Sequence, residues 1–127
     1  MMAVDSSALM AVVLKERQAV ACSAALQSSP KLVISAVTVA EALIVADGKN
    51  VSAGMAELLG MLNCEVIAVS AETAMRVAQI YQTWGKGRHP ARLNFGDCFA
   101  YDTAKTHDCP LLFVGDDFRR TDVVSVL

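Results

Sequence analysis

Met2-Ala3-Val4-Asp5-Ser6-Ser7-Ala8-Leu9 decides how the rest of the chain is read. Three apolar residues suit a short buried strand, and a carboxylate follows at once. The arrangement recurs: Leu32-Val33-Ile34 is followed shortly by Glu41, and Leu111-Leu112-Phe113-Val114 is followed by Asp116. Asp97 opens the segment that leads into that last strand. Helical periodicity fills the intervals over 7–14, 17–27, 36–45, 52–62, 70–84 and 97–107. Strands are expected over 2–4, 31–34, 65–69 and 111–114, with a short fifth over 123–126. Strands alternating with helices predict an α/β fold whose central parallel sheet of four to five strands is covered on both faces. In such sheets ligands collect at the carboxyl ends of the strands. Sequence alone places Asp5 and Asp116 there, puts Glu41 nearby, and reaches Asp97 by inference.

The 127 residues fit one domain, 1–127, with no repeat or linker. Hydrophobic residues make up 54% and the mean hydropathy is +0.43. One small core cannot hide that much apolar surface, so association is expected. Cys22, Cys64, Cys98 and Cys109 are scattered, without a CxxC pair, which suits reduced thiols in a cytoplasmic protein. The start of the chain lacks a basic region of the signal-peptide kind, and the apolar run over 36–46 is too short for a bilayer and contains Glu41. No membrane association is expected.

Each acid has an ordinary alternative as a helix cap. Asp5 precedes a helix, Glu41 stands three residues after Thr38 at capping-box spacing, and Asp97 stands three residues after Asn94. Asp116 precedes the turn through Phe118-Arg119-Arg120. Caps do not require four carboxylates at strand ends, however. Like charges brought together there cannot all stay ionised without a cation. The ligands on offer are hard oxygens, while His89 and His107 are isolated and no cysteine has finger spacing. That selects Mg²⁺ or Mn²⁺ over Zn²⁺, and with it phosphoryl chemistry. Ser6 or Ser7 could hold a water of the ion, or simply cap the helix.

Net charge is −2, so no global field attracts nucleic acid. Between Glu72 and Asp97, however, there is no acid, and Arg76, Lys86, Arg88 and Arg92 fall there. The Lys86–Arg92 loop is a candidate contact for phosphates or an ordinary solvated loop. Trp84 and Phe95 flank it and could stack on bases or anchor the loop. Asp102, five residues after Asp97, is expected on a solvated face. The Met and Ala stripes of the earlier helices suit core, dimer surface or a groove for a partner helix.

Val4-Asp5-Ser6-Ser7-Ala8-Leu9 resembles the opening of PIN-domain proteins, and Ser35-Ala36-Val37-Thr38-Val39-Ala40-Glu41 resembles their second acidic motif. Gly85-Lys86-Gly87-Arg88-His89, Leu93-Asn94-Phe95-Gly96-Asp97-Cys98 and Leu111-Leu112-Phe113-Val114-Gly115-Asp116-Asp117-Phe118 look much like VapC toxins of bacterial type II toxin–antitoxin systems. The resemblance implies a three-layer α/β/α sandwich. It also implies a Mg²⁺- or Mn²⁺-dependent endoribonuclease that hydrolyses RNA by metal-activated water and is neutralised by a VapB-type antitoxin. Carried over by position, Asp5, Glu41 and Asp97 match the strongest metal-site acids. The fourth departs from the family's Thr-x-Asp pattern; Asp116 is favoured as nearest the strand end, with Asp117 the alternative. Two rivals stand beside this reading. One is a phosphoryl-transfer enzyme with Asp5 as nucleophile, weakened by Asp5-Ser6-Ser7 where a DxD pair would be needed. The other is a PIN-like interaction module without catalysis.

Overall fold

The computed structural model describes residues 1–127. β1 (Met2–Val4), β2 (Leu32–Ser35), β3 (Glu65–Ile67) and β4 (Leu111–Leu112) form one parallel sheet in the order β3-β2-β1-β4. Met2 lies opposite Leu32, and Val4 opposite Leu112. The chain builds outward from β1 to β2 and β3, then returns to place β4 on the other side of β1. The order therefore switches at β1, where a parallel sheet opens a crevice, and Asp5 is the residue that follows β1.

Alternation along the pleat sends side chains to two cores. Val4, Ile34 and Leu112 face one layer, with α1 (Ser6–Val13), α2 (Ala19–Ser28), α3 (Ala36–Gly48) and α4 (Ser52–Leu62). Ala3, Val33 and Leu111 face the other, with α5 (Ala71–Trp84) and α6 (Phe95–Thr106). The result is the expected three-layer α/β/α sandwich. No helix is long and apolar enough to cross a membrane, and all four cysteines are free thiols.

Several expectations change in detail. The fifth strand is reduced to one parallel bridge between Leu111 and Ser125, because β4 itself stops at Leu112 and offers almost no edge to extend. α6 begins at Phe95, two residues before the expected start. The apolar stripe of α5 is only partly core: Val77 is buried, whereas Ala74, Ala78 and Tyr81 are exposed. Leu43, Ile44 and Val45 on α3 and Val66 on the edge strand β3 are exposed too, the surplus apolar surface that composition foretold.

Asp102 is not solvated. It is 5% exposed and takes a bidentate contact from Arg76 on α5, Nε to Oδ1 at 2.7 Å and Nη2 to Oδ2 at 3.1 Å. The fork strings α5 to α6, the helix that carries Asp97. Removing only the cation strands a buried carboxylate. Arg76→Met is expected to destabilise by about 2–3 kcal/mol in urea unfolding, and Arg76→Met/Asp102→Leu to recover much of it.

Candidate active site

Asp5 leaves β1 and caps α1. Its Oδ2 accepts from the Ser7 backbone N–H (3.1 Å) and from Ser7 Oγ (2.6 Å). Ser7 Oγ in turn accepts from the Val114 N–H (3.0 Å), which ties the start of α1 to the segment beyond β4. Asp5 Oδ1 is buried without any partner, in a residue only 3% exposed. Burial raises the Asp5 pKa, and the Glu41 charge adds to it against the Ser7 hydrogen bonds. A cap thus uses one oxygen and leaves the other unsatisfied, which is costly unless a proton or cation meets it.

Glu41 does not form the capping box with Thr38. Ser35 caps α3 instead, accepting from the Val37 N–H (3.2 Å). Thr38 therefore lies inside the helix, buried, its hydroxyl unpartnered. Ser6 Oγ donates to Glu41 Oε1 (2.8 Å), so α1 orients the Glu41 carboxylate of α3. Gly96 of α6 presses on the same carboxylate: a Cβ there would meet Glu41 Cδ at 2.8 Å and Oε1 at 3.0 Å. Gly96→Ala ought to favour the helix by up to about 1 kcal/mol, yet it must displace Glu41. The expected outcome is activity of this site at least roughly tenfold lower, with melting temperature held or raised in a thermal melt.

Asp97 is the N3 partner in the capping box of α6, whose N-cap is Asn94. Its Oδ2 accepts from the Asn94 N–H (3.0 Å), and its own N–H donates to Asn94 Oδ1 (2.8 Å). Burial is the largest cause raising its pKa to about 7, with the charges of Asp5, Asp117 and Glu41 adding to it. The capping-box contact expected from the Asn94–Asp97 spacing is made, and the same carboxyl stands among neighbouring acids.

At the fourth corner the chain turns through Gly115 at φ +104°, a left-handed conformation glycine tolerates. Asp116 and Asp117 follow, both exposed. The Asp116 carbonyl accepts from the Arg119 N–H (3.2 Å). Of the two neighbours, Asp117 is the one whose charge reaches Asp97.

Asp5, Glu41, Asp97 and Asp117 thus converge electrostatically across β1, α3, α6 and the turn after β4. No three such side chains stand close enough to close a ligand set by themselves. An all-oxygen donor set with one orphaned buried oxygen fits Mg²⁺ or Mn²⁺, which keep several waters and take only one or two carboxylates directly.

The basic loop is anchored at its base. Lys86 N–H donates to the Leu93 carbonyl (2.9 Å), and Tyr81 Oη donates to the Lys86 carbonyl (3.1 Å). Trp84 anchors rather than stacks: its Nε1 donates to Tyr101 Oη (3.2 Å) and His89 packs on it edge-on. Phe95 remains 67% exposed. Arg76 is engaged by Asp102, which leaves Lys86, Arg88 and Arg92 as the exposed cations of this stretch.

Residues 2–124 match the PIN domain. The chain belongs to the PIN-domain family. Within it, the relatives are VapC ribonucleases. This VapC chain is 38% identical to Ribonuclease VapC30 of Mycobacterium tuberculosis over 128 residues, covering 98% of each. It is 43% identical to Ribonuclease VapC36 of the same organism over 126 residues, 96% of this chain and 91% of that one. Among solved structures, M. tuberculosis VapC20, titled a sarcin-ricin loop cleaving toxin, superposes with TM-score 0.77 at 16% identity, covering 98% of this chain and 97% of that one. A toxin–antitoxin complex from Klebsiella pneumoniae gives TM-score 0.73 at 21% identity, covering 98% and 95%. At those identities the structures speak for the VapC fold alone.

Sequence reasoning passed over Gly96, whose role comes from a close approach. A glycine beside an acid in the first turn of a helix was the available signal. The pairing of Ser6 with Glu41 spans 35 positions and left no local trace.

Proposed function

We propose that this VapC chain is a Mg²⁺- or Mn²⁺-dependent endoribonuclease, the toxin of a type II toxin–antitoxin module. The observation that carries the proposal is the orphaned, buried Asp5 Oδ1, beside Asp97, which burial first and neighbouring carboxylates second raise to about 7. A bound divalent ion would supply charge for the phosphate oxygens and lower the pKa of the attacking water. Asp5 and Asp97 would hold it. Ser7 fixes Asp5 through two hydrogen bonds and leaves Oδ1 for the ion. Glu41, steered by Ser6, extends the pocket directly or through water. For the fourth acid Asp117 is preferred to Asp116, because its charge is felt at Asp97. Lys86, Arg88 and Arg92 would grip the strand by its phosphates without making the whole protein a nucleic-acid binder. The near-complete burial of Asp5 argues against a nucleophilic carboxylate, which needs open approach to phosphorus.

The partners follow the same reading. Relatives named ribonucleases support RNA as substrate, and a neighbour titled a toxin–antitoxin complex supports a VapB-type antitoxin. The exposed Leu43, Ile44 and Val66 support a homodimer. The deciding experiment incubates the purified chain with single-stranded RNA, with chelator and then with added Mg²⁺. Cleavage that stops with chelator and returns with the ion is expected; undiminished cleavage in chelator would remove the metal from the mechanism.

A further inference from the structure

Phe95 and Asp97 share the first turn of α6 but leave it on different faces. Asp97 serves the acid pocket. Phe95 overlooks an open groove of about 740 Å³ between α5 and α6. The floor is the uncovered stripe of α5 from Ala74 to Tyr81, whose two alanines keep it flat. Phe95 and Phe99 form the wall, meeting edge-on with centroids 5.0 Å apart. Lys86 and Arg88 stand at the rim, and no residue lining the groove is acidic, although the chain carries a net charge of −2. The rim is held in place, since Lys86 is fixed by both Leu93 and Tyr81.

A planar apolar slot with cations at its edge, one helix turn from a pocket of carboxylates, matches a nucleotide: a ring to stack and a phosphate to neutralise. We propose that the α5–α6 groove is a nucleobase subsite, in which an unpaired base flanking the scissile phosphate stacks on Phe95 while Lys86 and Arg88 hold its phosphate. The assignment rests on the endoribonuclease reading and extends it by naming unpaired, stacked RNA as the substrate form. Phe95 is then a binding residue, exposed because its partner is the substrate.

The test uses a single-stranded RNA that wild type cleaves, with one abasic nucleotide walked through the positions flanking the cut. Wild type should be penalised roughly 5- to 100-fold at one flanking position. Phe95→Ala should cleave the intact RNA more slowly through KM and show no further penalty at that position, while Phe95→Trp keeps it. An abasic penalty of equal size in wild type and Phe95→Ala would overturn the subsite. So would a Phe95→Ala defect that tracks with loss of a dimer or of antitoxin binding in sedimentation, because the groove would then be a protein interface. Fluorescence anisotropy with the same RNA in chelator reads the groove apart from the chemistry. Weaker binding by Phe95→Ala supports the subsite even if wild type fails to cleave, and unchanged binding excludes it.

Discussion

Asp97→Asn is expected to lose at least about 10²–10³-fold in RNA cleavage while remaining folded, and Asp5→Asn to behave alike. The asparagine keeps the shape of the cap. Its side-chain oxygen can still accept from the Asn94 N–H, and its own N–H still reaches Asn94 Oδ1. What disappears is the charge. If Asp97 served only as the N3 partner of the Asn94 capping box, this variant would cost at most about 1 kcal/mol, for the lost first-turn charge, and would cleave normally. The comparison therefore separates the two roles that coexist in this side chain. The measurement is kcat/KM on one RNA at fixed Mg²⁺, with a thermal melt of each variant. A folded Asp97→Asn protein within tenfold of wild type would leave Asp97 with its structural role alone.

The second large effect concerns stability in the absence of metal. Burial and neighbouring carboxylates raise Asp5 and push Asp97 to about 7, above the values the same groups have unfolded. The folded chain therefore holds protons that the unfolded chain has released. The stability tied to Asp97 is fully present below about pH 4 and is lost as pH rises through about 7, and Asp5 acts in the same direction. Between pH 5 and 8 the metal-free protein should lose on the order of 1–2 kcal/mol, allowing for solvent screening at Asp97, or roughly 5 °C in Tm. Mn²⁺ at pH 8 should restore it, because an ion that binds only the folded state stabilises by mass action. Asp97→Asn should flatten both the pH slope and the response to Mn²⁺. A metal-free Tm that rises from pH 5 to pH 8 would mean that these carboxyls are ionised without help.

The sheet was legible because its strands are short apolar runs separated by longer helical segments bounded by turn residues. β1, β2 and β4 fall where Met2–Val4, Leu32–Ile34 and Leu111 onward predict them. Asp5 was legible for the same reason, being fixed one residue past a strand. What was not legible came from tertiary proximity. Glu41 and Thr38 have capping-box spacing, but the helix expected from Ala36 does begin there, capped by Ser35, so Thr38 lies inside it and the spacing alone misleads. Asp102 looked solvated from its offset to Asp97, and only the approach of α5 brings Arg76 to it. The preference for Asp116 followed from distance along the chain. The charge felt at Asp97 is that of Asp117, and the Gly115 turn that precedes both neighbours has a φ of +104° that cannot be read from the sequence.

The most direct measurement is a calorimetric titration of Mn²⁺ into the chain and into Asp97→Asn at pH 7.5, repeated in buffers of different ionisation enthalpy. Wild type should bind the ion with net proton release, because Asp97, raised to about 7, is still partly protonated at this pH and must give up that proton. The variant should bind at least roughly tenfold more weakly and release fewer protons. Equal affinity in the two proteins, or binding without proton release, would contradict a metal site built on Asp5 and Asp97.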